Sequence, residues 1–409
     1  MKQRVHSRRG SSAVFLSCIL AALMMLTLAL IYSVREETVS SRVDGILDLA
    51  GDSVMSEYHC ELQKEYGLFL LKGTDQELTR MLRHYLDFSL AGMKNVKIET
   101  LHVSGSRFSV LDMDLIREQI VAYMKYAKAQ QLTERAAEDA THEKKSNKTG
   151  TGHTLRHEPT KLSLPSAELP MSNLITLAGS ISEKSGDVKK AFQAGTEEYL
   201  LNSYILERFN SRANQHREDH FFCNEAEYIL AGKFSDEQNE TYFERALKAL
   251  REPLNLAHIY ADPEKRAETI AAAELMTPGA AAAATQLALA AAWAYAESVN
   301  DVELLWQGYQ VPLMKDASSW ALDLDRVIEG VTGGTVHPKK IHGYDYQQYL
   351  QIFLFFQDDN IKLARILDLI QINMRKNCDA DFLIQEYAAG IEVDAKINHR
   401  IYRYEKTFE

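Results

Sequence analysis

The feature that constrains this chain most is an uncharged run close to its N-terminus. Residues 13–34 read AVFLSCILAALMMLTLALIYSV, 22 residues with no charged side chain, no glycine and no proline. As an α-helix this run is about 33 Å long, which is enough to cross the hydrocarbon core of a bilayer. The run therefore predicts a single transmembrane helix.

A cleaved secretory signal is the alternative to a retained anchor. Its apolar region is normally about 7 to 15 residues long and ends at a small-x-small cleavage site. Here the run is longer and continues into Arg35, Glu36 and Glu37 without an A-x-A site. The sequence favours a retained anchor.

The ten residues before Ser11 form a basic leader. Its charged residues are all cationic: Lys2, Arg4, Arg8 and Arg9. Because basic flanks stay on the cytoplasmic side, these residues predict a cytoplasmic N-terminus and an extracytoplasmic chain from residue 35 onward. The expected location is the cell membrane, with a single pass. The net charge of the whole chain is −11, which argues against nucleic-acid binding.

An apolar stripe continues beyond the anchor at spacings of three and four residues. It predicts an amphipathic helical extension over residues 35–67. The stripe consists of Val39, Val43, Ile46, Ala50, Val54, Tyr58 and Leu62. Two interpretations are open: the stripe packs on the chain's own domain, or it packs against helices of other subunits and joins them into an oligomer.

The rest of the chain predicts an α+β fold in three regions. Residues 68–130 form a small mixed α/β region, with a helix near 76–90, a strand over 96–103 and a helix after Asp112 or Asp114. Residues 131–172 are rich in charged and small polar side chains and predict a flexible linker or insertion. Residues 173–409 form the main extracytoplasmic α+β domain.

Within 173–409 the patterns alternate between helix and strand. Residues 227–231 (EYILA) predict a short strand, and Ser235 caps the helix that follows. The alanine-rich run over 279–298 predicts a tightly packed buried helix rather than a second membrane span. Helices are expected over 344–356 and 361–375, with their aromatic side chains in the core. Strands are expected over 391–397 and 400–404.

Motifs of common enzyme classes are absent from the sequence. It has no phosphate loop, no G-x-S-x-G and no H-E-x-x-H, so we expect a non-enzymatic protein with no cofactor and no metal. His216 and His220 are expected on a solvated helix face, and His337 and His342 in a solvent-exposed loop.

Glu225 and Glu227 alternate along the predicted strand, which puts their carboxylates on one face. Paired carboxylates can act as acid and base, but a water-facing strand edge is the favoured interpretation. Beyond the span, Cys60, Cys223 and Cys378 show no spacing that predicts a particular disulfide.

The leader ending in RRG, followed directly by SSAVFLSCIL and one helix, resembles a type IV pilin-like subunit. It is most similar to the pseudopilin-like (TadE/TadG-type) proteins of Flp/Tad pilus clusters. In those systems a prepilin peptidase cuts after the glycine, so the resemblance implies cleavage between Gly10 and Ser11. One position departs from the pattern: pilins usually carry glutamate at the fifth residue after the cut, where this chain has Phe15.

Several longer segments resemble an uncharacterised Gram-positive family of such membrane-anchored proteins. These segments are SEYHCELQKEYGLFLL (56–71), DLIREQIVAYMKYA (114–127), NEAEYILAG (224–232), AWAYAESVNDVELLWQG (292–308), GYDYQQYL (343–350) and ARILDLIQINMR (364–375). The resemblance implies a component of a Tad-type pilus or a related secretion or adhesion assembly, with platform or pilus subunits as partners. A membrane-tethered binding module or sensor outside any filament is the alternative.

Overall fold

The computed structural model describes residues 9–93, 96–137, 153–155, 163–169, 173–330 and 334–408. Helices and small sheets are mixed along the chain, as expected for an α+β fold. The described chain divides into two compact units. The helix–sheet unit takes the chain as far as Tyr58, then Leu71–Phe108 and Gly390–Phe408; the helical unit takes His59–Leu70 and Ser109–Ala389.

The described α-helices are α1 Arg9–Met55, α2 Cys60–Tyr66, α3 Asp75–Leu90, α4 Met113–Ala137, α5 Leu174–Glu183, α6 Glu197–Arg208, α7 Glu225–Ala231, α8 Asp236–Ala261, α9 Pro263–Met276, α10 Ala282–Trp306, α11 Leu324–Ile328, α12 Tyr346–Phe356 and α13 Asp359–Asn377. The described strands are β1 Leu71–Lys72, β2 Ile98–Ser104, β3 Tyr387–Ala388, β4 Gly390–Ile397 and β5 Arg400–Thr407.

The helix–sheet unit is built on a three-stranded antiparallel sheet in the order β2-β4-β5. A two-residue turn joins β4 to β5, and both of its residues have positive φ: 48° at Asn398 and 65° at His399. Such turns match the right-handed twist of the strands they join. The strands predicted over 391–397 and 400–404 are therefore confirmed, with β5 longer than expected.

Helices α1 and α3 cover one face of this sheet. Alternate residues of β4 point into the core they share, because side chains along a strand alternate between its faces. A complete capping box at Thr74 and Glu77 starts α3. The core of the unit contains Val43, Leu47, Ala50, Val54, Leu78, Leu82, Leu86, Val103, Ile391, Val393, Ala395 and Ile397.

The stripe on α1 thus packs on the chain's own unit, which confirms the first of the two interpretations. The predicted extension to residue 67 is wrong in its last part, because α1 ends at Met55 and a separate short helix, α2, begins at Cys60. Tyr58 and Leu62 therefore do not continue the stripe. Leu62 instead belongs to the core of the helical unit.

The helical unit packs its helices around α12 and α13. Every residue from Lys362 to Met374 is buried, and so are Tyr346, Tyr349 and Phe353 of α12. The two predicted helices and their core aromatic residues are confirmed. A complete capping box starts α12 at Asp345, and Ser235 caps α8 as expected.

Two predictions for the helical unit are wrong. Residues 227–231 are not a strand: they form α7, whose seven residues are all buried. The alanine-rich α10 is only half buried, since Leu287 is 57% exposed while Trp293 is 1% exposed. Alanine is common both at exposed and at buried helix positions, so the spacing of alanines does not show which face of α10 is buried.

The predicted linker or insertion over 131–172 is described only in part. Helix α4 extends to Ala137, Pro165–Glu168 forms a 3-10 turn, and the backbone N–H of Ser166 donates to Asp368 at 3.0 Å. The turn that contains Ser166 is therefore held by a residue far away in the sequence. The rest of that prediction, over 138–152, 156–162 and 170–172, lies outside the described residues.

Candidate functional site

Helix α1 has an apolar N-terminal half that the described protein leaves uncovered. Its most apolar stretch has a mean hydropathy of 2.7 and none of it is buried. Phe15, Leu16 and Met25, for example, are 67%, 71% and 68% exposed. In the described residues this is the one helix long and apolar enough to cross a membrane, and a signal sequence has the same properties.

The candidate cleavage bond lies at the start of this helix. Arg9 is its first residue, so Gly10 and Ser11 fall in the first helical turn. The other topology-determining residues, Lys2, Arg4 and Arg8, lie outside the described residues. Cleavage at Gly10 and the orientation set by the leader both stay predictions.

The C-terminal half of α1 is tied to β5 by a row of polar contacts. Lys406 Nζ lies 2.5 Å from Asp48 Oδ1 and 2.7 Å from Asp52 Oδ1, and Tyr404 donates to Asp44. Partial burial opposes the charge on Lys406, but its bonds to both carboxylates raise its pKa. The C-terminal half of the helix is thereby held on its own sheet.

The two glutamates of α7, Glu225 and Glu227, are buried, whereas the sequence predicted a water-facing strand edge. Glu225 is fully buried and accepts three hydrogen bonds: from Asn210 N at 2.8 Å, His220 Nδ1 at 2.7 Å and Asn373 Nδ2 at 2.7 Å. His220, expected on a solvated helix, lies in a turn and is 5% exposed. His216 is exposed, as expected, but also lies outside any helix.

Glu227 is buried in a second pocket of polar contacts. Its Oε1 accepts from Arg212 N at 3.0 Å and from the Tyr346 hydroxyl at 2.8 Å, while Oε2 has no hydrogen-bond partner. Burial raises the pKa of Glu227 to about 7. Glu225 and Glu227 therefore bond to separate partners instead of sharing one open site.

A buried ion cluster lies between α8, α10 and the loop that follows α10. Arg251 Nε donates to Asp301 Oδ2 at 3.0 Å, and Lys315 Nζ lies 2.6 Å from Asp301 Oδ1 and bonds Glu297. Burial alone would raise the pKa of Asp301, but Lys315 and Arg251 hold it below its usual value. Two cations balance two carboxylates in this cluster.

Sequence reasoning missed this cluster, although one signal was present. Glu297 and Asp301 lie one turn apart on a helix read as buried, and two buried acids on one face require cationic partners.

Within the described part of the chain, side chains that could bind a metal do not come together in a group. Across the described residues there is no set of three His, Cys, Asp or Glu side chains that could hold a metal ion. His337 packs edge-on against Tyr309 at 4.8 Å, and His342 lies 3.8 Å from Asp316; both are in a loop, as predicted. None of the cysteines is in a disulfide.

Comparison with known proteins yields one match. A sequence model described as "Family of unknown function (DUF5702)" matches residues 127–399. No curated protein and no solved structure matches the chain.

Proposed function

The chain belongs to the DUF5702 family of unknown function, and from its architecture we propose that it is a membrane-anchored, non-enzymatic component of an envelope assembly. In this proposal residues 13–34 span the membrane, the leader stays in the cytoplasm and both compact units lie outside. The observation that carries it is the exposure of the apolar half of α1, which continues as one helix into a half packed on its own sheet.

The assembly we propose is a Tad-type pilus or a related secretion or adhesion system. The resemblance of the leader and of SSAVFLSCIL to pseudopilin-like proteins supports it. The exposed residues of the span are available to other helices within the bilayer, where association depends on side-chain packing. The non-enzymatic role is supported by the burial of Glu225 and Glu227.

N-terminal sequencing of the membrane-extracted chain tests the pseudopilin-like version. The chain is produced with and without a prepilin peptidase, together with Gly10→Leu and the control Ser12→Ala. We expect Ser11 as the new N-terminus only with the peptidase, for wild type and Ser12→Ala but not for Gly10→Leu. Intact leaders in every sample would contradict the processed version.

Oxidative crosslinking through Cys18 tests oligomerisation. Cys18 is exposed within the apolar run, so a neighbouring α1 in the membrane brings two such thiols together. In a Cys60→Ser, Cys223→Ser, Cys378→Ser background we expect a disulfide-linked dimer in membranes. Absence of this dimer, with the cysteine-free Cys18→Ser chain as the blank, would contradict packing through α1.

Co-purification separates the assembly component from the tethered binding module. Membranes of a host with a Tad-type system are solubilised, and the tagged chain is recovered together with its partners. Recovery of the secretion ATPase or platform subunits is expected. Their absence, with the chain still in the membrane, would favour the tethered module.

A further inference from the structure

A cavity of about 240 Å³ lies on the helix–sheet unit directly after the apolar run. It is lined by two guanidinium groups, Arg35 and Arg400, and by the hydroxyls of Tyr32, Ser40 and Tyr402. Glu36, Asn398 and aliphatic side chains of α1 and β4 complete the lining. Guanidinium and hydroxyl donors over an apolar floor are the groups that recognise a phosphate attached to an apolar body.

We propose that this cavity binds the phosphate of a membrane phospholipid headgroup. The inference rests on the proposed function, because it requires residues 13–34 to span the bilayer. It adds a specific lipid contact at the outer end of the span.

The position of the cavity along α1 fits the headgroup layer. At about 1.5 Å per residue, Arg35 follows the apolar run at once and Ser40 lies about 9 Å beyond it. The headgroup layer of one leaflet is about 5 to 8 Å thick, so Arg35 lies within it and Ser40 lies at its outer edge. Tyr32 also fits, since tyrosine is enriched where the hydrocarbon meets the headgroups.

The contacts of the charged residues leave donors for a phosphate. Arg400 is held by Glu37 at 2.8 Å and by Ser40 Oγ at 2.5 Å, which uses part of its five N–H donors. Glu36 accepts a hydrogen bond from Tyr32. Arg35 has no ion-pair partner among the described residues, and its guanidinium provides the charge that an anion would meet.

Lipid binding by the full-length chain tests the site. The chain is purified in a neutral detergent and lipid adducts are counted by native mass spectrometry with added phosphatidylglycerol. Arg35→Gln is compared with Arg42→Gln, which removes the same charge from an exposed position two turns further along α1. Arg35→Gln is expected to weaken binding about tenfold, as loss of one charge-assisted hydrogen bond does, and Arg42→Gln to leave it unchanged.

Arg400→Gln provides a second test of lipid binding, with its own control for folding. It is expected to weaken lipid binding as well, and circular dichroism of the purified variant checks that the fold is kept. Equal lipid binding by wild type, Arg35→Gln and folded Arg400→Gln would overturn the site.

Two further experiments distinguish a lipid headgroup from free phosphate, and failure of the lipid site from failure of the membrane anchor. Displacement of the lipid by inorganic phosphate at the same concentration would show a free-ion site and overturn the lipid assignment; no displacement is expected. Alkaline carbonate extraction of membranes is run in parallel. Release of the wild-type chain would contradict the anchor itself, whereas retention with equal lipid binding by all variants would overturn only the lipid site.

Discussion

Glu227 lies in the interior of the helical unit with one carboxylate oxygen bonded by Arg212 N and the Tyr346 hydroxyl and the other without a partner. Burial raises its pKa from 4.5 to about 7, so the folded state binds a proton that the unfolded state releases near pH 4.5. The stabilisation from this proton is fully present below pH 4.5 and is lost as the pH rises to about 7.

Replacing Glu227 with glutamine is expected to remove this pH dependence. The pKa difference corresponds to about 3 kcal/mol of unfolding free energy between pH 4.5 and 7. Urea unfolding of the full chain in neutral detergent measures it. The exposed Glu237→Gln is the control, and Asp368, whose pKa burial raises to about 6, stays in both variants. The same slope in wild type and Glu227→Gln would contradict the account.

The ion cluster around Asp301 makes a second prediction at this scale. Asp301→Asn leaves Arg251 and Lys315 buried with Glu297 as their one remaining carboxylate in the cluster. Removing one partner of a buried ion pair typically costs about 3 to 5 kcal/mol. Urea unfolding should show this loss, while the exposed Glu274→Gln should change stability by less than about 0.5 kcal/mol. A similar small change in both variants would contradict the role of the cluster.

At the scale of elements, α1 combines two different surfaces in one helix. Its first half is exposed and apolar, and its second half places Val43, Leu47 and Val54 in the core against the sheet. The apolar half is rigidly connected to the half that packs on the sheet, because the helix continues without interruption from Arg9 to Met55.

Two leucines two residues apart on α1 test this packing. Leu47 is 1% exposed and Leu49 is 66% exposed. Leu47→Ala should destabilise the helix–sheet unit by about 2 to 5 kcal/mol through the cavity it leaves, and Leu49→Ala should have little effect. Native-state hydrogen exchange of the β4 and β5 backbone amides measures the difference within this unit. Equal effects would mean that the stripe does not pack as described.

The sequence predicted the elements whose pattern is local. Ile391, Val393, Ala395 and Ile397 alternate as a strand with one buried face, and Ser235 marks the start of α8. The pattern failed for α7, because a seven-residue element that is buried on all sides shows neither the helical period of 3.6 residues nor the strand period of two. Gly232 ends α7 in the left-handed conformation, with φ of 65°, and a glycine at this position is a sequence sign of a helix end.

The buried polar sites were beyond sequence reasoning for a different reason. Glu225 bonds to Asn373, and Arg251 bonds to Asp301 across 50 residues. Such partners become visible only when the fold brings them together. The same holds for Ser166, whose bond to Asp368 orders part of a segment that composition alone assigns to a flexible linker.

At the scale of the whole molecule, the described chain consists of two compact units, and the apolar half of α1 is exposed. The proposed function requires that both units lie outside the cell membrane and that the helix stays attached to them. Cys378 is an exposed residue of the helical unit and reports on which side that unit lies.

Labelling of Cys378 by a membrane-impermeant maleimide tests this claim most directly. Intact cells of a Gram-positive host that produce the full chain are labelled at pH 8, with Cys378→Ser as the control, and the membranes are then extracted with alkaline carbonate. The account predicts that Cys378 is labelled in intact cells and that the labelled chain stays in the membrane pellet. Labelling only after lysis, or release of the labelled chain by carbonate, would contradict it.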